Sequence, residues 1–307
     1  MAPKRPRYRL FSVLLTPDEI RRRFSIIVQW RRGDHRAPHK PLLLLLAIGR
    51  LQRDEGRLAR YEELEAQLQP LLATYGSTQR PGRAYYPFWR LRNDGIWQVP
   101  EESELEPNEA GDISVRDLRR TKARGGLTED VAEALVADPE LAREVTGMLL
   151  DGSFPPSLHE EILDATGIPW LPIPQRRRDP RFREEVLRIY ERRCAVCGYD
   201  GRLGHAELGL EAAHVRWFAY GGPDEPDNGL ALCSFHHHAL DRGGITVSPE
   251  LRVLVSQHLC GNDAVHDWLI RYHGRKIVGP QRGQPPPATA HLQWHLGEVF
   301  RDPPRAL

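Results

Sequence analysis

The chain has no long apolar run. Its longest, Leu42 to Ile48, is seven residues, whereas a helix crossing a bilayer needs about 20, so no membrane partner is expected. Cysteine is scarce: four in 307 residues are too few for a disulfide scaffold, and a cytoplasmic location is expected. The first residues, Met1-Ala-Pro-Lys-Arg-Pro-Arg7, are basic but lack the apolar segment of a secretory signal, so none is expected. Net charge is nearly absent too, +1 from 43 Lys and Arg against 42 Asp and Glu. Internal repeats are missing. With 40% hydrophobic and 28% charged residues, collagen-like chains, fibrous coiled coils and wholesale disorder are excluded.

The small net charge conceals segregation. Residues 1–60 hold 15 Lys and Arg against 5 Asp and Glu, and residues 101–170 hold 6 against 17. A basic segment balanced by an acidic one fits a polyanion-binding face, although two solvated faces give the same count. The length corresponds to about two domains.

Local signals divide the chain. Thr16-Pro-Asp-Glu19 opens a helix, with Thr16 as N-cap, Pro17 in the first turn and Glu19 closing a capping box. Pro41 starts an apolar helix from Leu42 to about Leu51, whose leucines are core, and Tyr61 to Leu72 forms another. Tyr85-Tyr-Pro-Phe-Trp89 is aromatic and extended, and Pro87 makes it an edge strand or loop. A turn at Asn93-Asp-Gly95 precedes a strand at 96–99. Trp89 and Trp97 are expected in the core. Helices follow at 128–137, 139–150 and 156–165. Three prolines in Gly167 to Gln175, followed by Arg176-Arg-Arg178, mark a linker over 168–180. The expected division is a mainly helical domain over 1–167, a second domain over 181–280 that begins with a helix at 181–192, and a Pro-rich tail with a short helix over 281–307.

The sharpest signal lies between Cys194 and Gly244. Cys194-Ala-Val-Cys197 is a CxxC, and Cys233-Ser-Phe-His236 follows 36 residues after Cys197. Two chelating pairs of this kind suit a tetrahedral Cys₃His structural Zn²⁺ site. A redox CxxC is the alternative, but no thioredoxin-like βαβ pattern surrounds it. Cys260 is left over as a buried thiol.

Between and after the knuckles stand His214, Asn228 and His237, spaced by 14 and 9 residues, within Glu211-Ala-Ala-His214, Gly221-Gly222, Asp227-Asn228-Gly229-Leu230 and Leu232-Cys-Ser-Phe-His-His-His-Ala-Leu-Asp-Arg-Gly243. This pattern resembles the HNH, or ββα-metal, nuclease family over Cys194 to Val247. The resemblance implies His214 as the general base for water, a task suited to a neutral imidazole. It implies Asn228 as the residue that holds the loop or orients His214, and His237 as a ligand of a catalytic divalent cation, Mg²⁺ or Mn²⁺. His236 serves zinc instead, because adjacent helical residues point about 100° apart. Many relatives place Asp or His just before the base as a second metal ligand, where this chain has Ala213. Glu211, on the same side of the strand, is either its substitute or a solvated strand carboxylate. Asp241, one turn beyond His237, is a second candidate for that ligand, although a capping or turn carboxylate is the favoured reading. A zinc-stapled module with dead catalytic residues is the non-enzymatic alternative.

His35-Arg36-Ala-Pro-His39-Lys40-Pro-Leu-Leu-Leu-Leu-Leu46 and Tyr86-Pro-Phe-Trp-Arg-Leu-Arg-Asn-Asp-Gly95 together resemble the sulfur-binding domain of phosphorothioation-dependent restriction endonucleases, over about residues 8–168. That resemblance implies double-stranded DNA in which sulfur replaces a non-bridging phosphate oxygen. Sulfur is larger and less strongly hydrated than oxygen, so an apolar notch can prefer it; the resemblance places Tyr86 and Pro87 in that notch. It places His35 and Arg36 on the neighbouring phosphate or base edges, and His39 and Lys40 on the backbone. One further arginine among Arg116, Arg119, Arg120 and Arg124 completes the set.

The expected protein is therefore α+β: a mainly helical DNA reader followed by a zinc-stapled ββα-metal nuclease. Its expected activity is modification-dependent restriction. An HNH nuclease reading 5-methylcytosine or another mark is the enzymatic alternative. A double-strand break needs two active sites, so a homodimer is expected.

Overall fold

The computed structural model describes residues 15–29, 38–76, 83–169 and 180–306. His35, Arg36 and nearly all of the expected linker lie outside the described residues.

The first half is built around one helix. After α1 (Pro17–Gln29), whose Glu19 amide meets Thr16 Oγ1 at 3.3 Å, comes α2 (His39–Gln52). It starts earlier than its prolines suggested: the Pro38 carbonyl accepts the Leu42 amide at 2.9 Å, and Pro41 falls in the first turn, where its missing N–H costs nothing. Residues 41–49 of α2 are all buried, as expected of a helix apolar on every side. At Gly49 a Cβ would lie 2.1 Å from the Thr166 carbonyl, so only glycine lets the two segments approach there.

Strand β1 (Leu58–Arg60), α3 (Tyr61–Tyr75), α4 (Tyr85–Arg90) and β2 (Trp97–Gln98) follow. Helix α4 corrects the expectation of an edge strand or loop. Pro87 occupies its first turn and lacks only an unneeded donor, while Phe88 and Trp89 are both buried; tertiary burial overrides the strand preference of the aromatics. Trp97 is buried as expected. Then come α5 (Val115–Arg120), β3 (Arg124–Leu127), α6 (Glu129–Ala137), α7 (Pro139–Asp151) and α8 (His159–Thr166). Strand β3 lies between β1 and β2, antiparallel to both.

The second half begins with α9 (Pro180–Ile189) and the small hairpin β4 (Arg202–Leu203) with β5 (Ala206–Glu207). Its centre is β6 (Leu210–His214), β7 (Gly229–Cys233) and α10 (Ser234–Asp241). The strands pair antiparallel from Leu210↔Cys233 to His214↔Gly229, giving a ββα unit. A second hairpin, β8 (Ile245–Val247) with β9 (Val253–Val255), is followed by α11 (Asp263–Trp268) and α12 (Thr289–Glu298). The fold is α+β.

Among the described residues two hydrophobic cores result. Five residues of the C-terminal half, Trp217, Ala219, Tyr220, Trp294 and Val299, join the first core, while Leu292 on α12 joins the second. The short C-terminal helix is thus packed into the body. Among the described residues no helix is long and apolar enough to cross a membrane.

Candidate nuclease and metal centres

The ligand atoms of Cys194, Cys197, Cys233 and His236 lie within 4.8 Å of one another. His236 Nδ1 faces the sulfurs, 3.0 Å from Cys233 Sγ and 3.7 Å from Cys194 Sγ. Its other nitrogen, Nε2, is 2.8 Å from the Trp268 carbonyl. A metal-bound histidine needs this arrangement: one nitrogen on the ion, the other fixed by an acceptor. Hydrogen bonds from Cys197 and Cys233 hold the Cys194 thiol far below its ordinary range, which favours the thiolate that ligates zinc. The donor set fits structural Zn²⁺. Cys260 is exposed, not buried as expected; the turn that follows β9 carries it to the surface.

His214 ends β6 and is 5% exposed. Its Nε2 lies 2.7 Å from Asp224 Oδ1, and its ring stacks on Phe182 of α9 at 4.2 Å. Asn228, fully buried, fixes the intervening loop. Its Oδ1 accepts the Arg216 amide at 2.8 Å, and its Nδ2 donates to the carbonyls of Arg216 and Pro223, each at 3.0 Å. Of its two expected tasks, these bonds perform loop-holding. The loop is tight enough that a Cβ on Gly222 would sit 1.8 Å from the Arg216 carbonyl, which explains the Gly-Gly pair.

His237 stands on α10 between two carboxylates. Nδ1 is 2.6 Å from Glu211 Oε2, and Nε2 is 3.2 Å from Asp241 Oδ2. Glu211 also accepts from Ser234 Oγ at 2.8 Å. Burial disfavours the charged imidazole, but the charge and hydrogen bond of Asp241, with Glu211 adding to them, raise His237 to about 10. The hydrogen bond from His237 lowers Glu211. The Glu211 carboxylate and the Nδ1 of His237 beside it form a hard O/N donor pair that suits Mg²⁺ or Mn²⁺, with the cation replacing the Nδ1 proton.

Glu211, His214, His237 and Asp241 line one cavity of about 310 Å³. Its opposite wall is Phe154, Pro155 and Ser157, from the turn between α7 and α8. Ser157 Oγ donates to Asp241 Oδ2. Asp241, expected as a capping carboxylate, is instead 3% exposed and committed to this cluster.

The reader residues within the described part are more dispersed in role. Lys40 Nζ is bound to Asp94 Oδ2 at 2.6 Å, both side chains about one-fifth exposed. Tyr86 meets His39 edge-on at 5.5 Å, with the Arg90 guanidinium 5.6 Å from its ring, and Pro87 is buried. Arg119, Arg120 and Arg124 pair with Glu65, Asp117 and Glu101, while Arg116 is exposed.

Sequence reasoning missed Asp224 and Ser157. Asp224 is one of three acidic residues between Gly222 and Asn228, with no local mark to single it out. Ser157 is 84 residues from its partner, beyond any spacing rule.

The family described as "ScoMcrA-like, DNA sulfur-binding domain" matches residues 17–170. The chain belongs to this family. The description "HNH endonuclease" matches residues 194–248, so that segment is a metal-dependent nuclease domain acting on phosphodiester bonds. Among solved structures, the sulfur-binding domain of ScoMcrA complexed with phosphorothioated DNA is 29% identical. It covers 47% of this chain and 95% of its own, with a TM-score of 0.41. The ScoMcrA sulfur-binding and SRA domains complexed with phosphorothioated DNA are 25% identical, covering 62% and 58%, with a TM-score of 0.45. For the type IV phosphorothioation-dependent restriction endonuclease ScoMcrA the values are 27%, 46%, 28% and 0.40, so the chain spans little more than a quarter of that enzyme. No curated protein matches.

Proposed function

We propose that this protein is a phosphorothioation-dependent restriction endonuclease: its first half binds phosphorothioated double-stranded DNA, and its second half hydrolyses phosphodiester bonds nearby. The observation that carries the reading is the shared cavity, where the candidate base His214 and the metal donors Glu211 and His237 meet in a chain that joins a sulfur-binding domain to an HNH domain.

In this reading His214 takes the proton from the attacking water. Asp224 keeps the proton on Nε2 and so leaves the lone pair on the other ring nitrogen. Asn228 holds the loop that sets His214 in place. Glu211 and His237 hold Mg²⁺ or Mn²⁺, which supplies Lewis-acid stabilisation of the phosphate and the leaving oxygen. Cys194, Cys197, Cys233 and His236 hold the zinc that staples the unit. His35, Arg36, Tyr86 and Pro87 form the reader, and Lys40 supports it through Asp94. One such site per chain cuts one strand at a time, so a double-strand break calls for two copies.

The test pairs matched phosphorothioated and ordinary duplexes with Mn²⁺. Preferential binding and cutting of the sulfur-bearing duplex are expected. Equal binding to both overturns the reader assignment, and undiminished cutting by His214→Ala overturns the base assignment.

A further inference from the structure

We infer that the metal-holding imidazole of His237 is positioned by a relay that begins in the sulfur-binding half of the chain, running from Ser157 through Asp241. The inference rests on the reading of His237 as a metal ligand.

Asp241 follows His237 by one helical turn, so the two side chains share a face of α10. Asp241 Oδ2 is 3.2 Å from His237 Nε2 and also takes the hydroxyl of Ser157. One carboxylate oxygen has two lone pairs, and these two donors use both. That oxygen is therefore an anchor. Asp241 is 3% exposed, whereas a divalent cation of this class keeps several waters and needs an open side. The open side is that of Glu211, whose side chain is 45% exposed and meets Nδ1. The arrangement would make a carboxylate–histidine–metal triad: Asp241 holds the proton on Nε2, and Nδ1, beside Glu211, is the nitrogen that would take the cation.

The origin of the relay gives it consequence. Ser157 lies within the sulfur-binding match, and Asp241 lies within the HNH match. One turn further along, Glu161 of α8 engages His238 at 2.9 Å and also Arg242. Positions 157 and 161 thus grip the helix that carries the metal ligand. Metal affinity at the nuclease site then depends on how the DNA-reading half sits against α10.

The experiment measures Mn²⁺ affinity of the full chain by calorimetry and by the electron-spin signal of the free ion, without substrate. His237→Ala must abolish binding; if it does not, the metal-ligand reading fails. Given that loss, Asp241→Asn is expected to weaken Mn²⁺ binding by about 10–100-fold, the range for outer partners of metal ligands. Ser157→Ala is expected to weaken it severalfold, and Ser157→Thr, which keeps the hydroxyl, to restore it. Zinc content and affinity for phosphorothioated DNA should stay unchanged in the Ser157 variants. Wild-type Mn²⁺ affinity in both Ser157→Ala and Asp241→Asn overturns the relay. Loss in Asp241→Asn as complete as in His237→Ala makes Asp241 a ligand and overturns it as well.

Discussion

Asp224 and His214 are joined at 2.7 Å, carboxylate oxygen to ring Nε2, across a loop closed by Asn228. The opposite constraint is Phe182, stacked on the imidazole at 4.2 Å. Ring direction and tautomer are both fixed before any substrate arrives. A positioned base contributes about 10²–10⁴-fold to rate, so His214→Ala should lower kcat by that range. Asp224→Asn keeps the size of the side chain but can present an amide donor to Nε2. It should lower kcat by about 10–100-fold, within the share a positioned base supplies, with Mn²⁺ and DNA affinity preserved. Nitrogen chemical shifts of the His214 ring, which report the tautomer, should change in the same variant. An unchanged kcat would leave Asp224 as a surface contact only.

Zinc should hold the nuclease half together. The four ligands come from the chain before β4 and from the junction of β7 with α10, so the ion ties two separate segments. Structural zinc in small domains contributes about 10–16 kcal/mol of apparent binding energy near neutral pH. Purified protein should contain one zinc per chain by elemental analysis. Cys233→Ser should lose the metal and the cooperative unfolding of the second core, with nicking of supercoiled plasmid abolished. Retained zinc in Cys233→Ser would remove Cys233 from the ligand set.

These two sites differ in how far the sequence reveals them. The zinc knuckles and the His214, Asn228 and His237 series are legible because each lies in a short hairpin or helix whose spacing is fixed by local geometry. Glu211 follows from strand alternation. Asp241 follows from helical spacing after His237, whereas Asp224 and Ser157 depend on tertiary closure: a loop folding back on its own strand, and a turn of the first half packing on a helix of the second. The same reason underlies α4. Tyr85 to Arg90 has strand-forming residues and a proline, yet burial of Phe88 and Trp89 against the first core makes it a helix.

His39 gives the reader half a pH dependence. Burial, and then the charge of Lys40, lower it to about 4 from 6.5, so it is neutral in the folded state at neutral pH. The unfolded chain binds the proton first as pH falls. Stability is complete above the unfolded value and is lost between about pH 6.5 and pH 4. At about 1.4 kcal/mol per pH unit, the loss by pH 5 is about 2 kcal/mol. Urea unfolding of His39→Leu should therefore show a shallower decline from pH 7 to pH 5 than the wild type. Parallel declines would show that His39 is not the titrating group.

The ion pair of Lys40 with Asp94 separates two kinds of basic residue in the first half. A lysine or arginine that neutralises a DNA phosphate contributes about one unit to the slope of log affinity against log salt. Lys40 is already neutralised at 2.6 Å. Lys40→Met should lower the melting temperature, because Asp94 is left without its cation in a partly buried place, and leave the salt slope unchanged. Arg36→Ala should reduce the slope by about one and weaken binding to sulfur-bearing and ordinary duplexes alike. Tyr86→Ala should act differently again, eroding preference for the sulfur-bearing duplex while affinity for the ordinary one holds. Salt titrations of the three variants on both duplexes distinguish the roles. A reduced slope in Lys40→Met would mean that DNA displaces Asp94 and takes the lysine for itself.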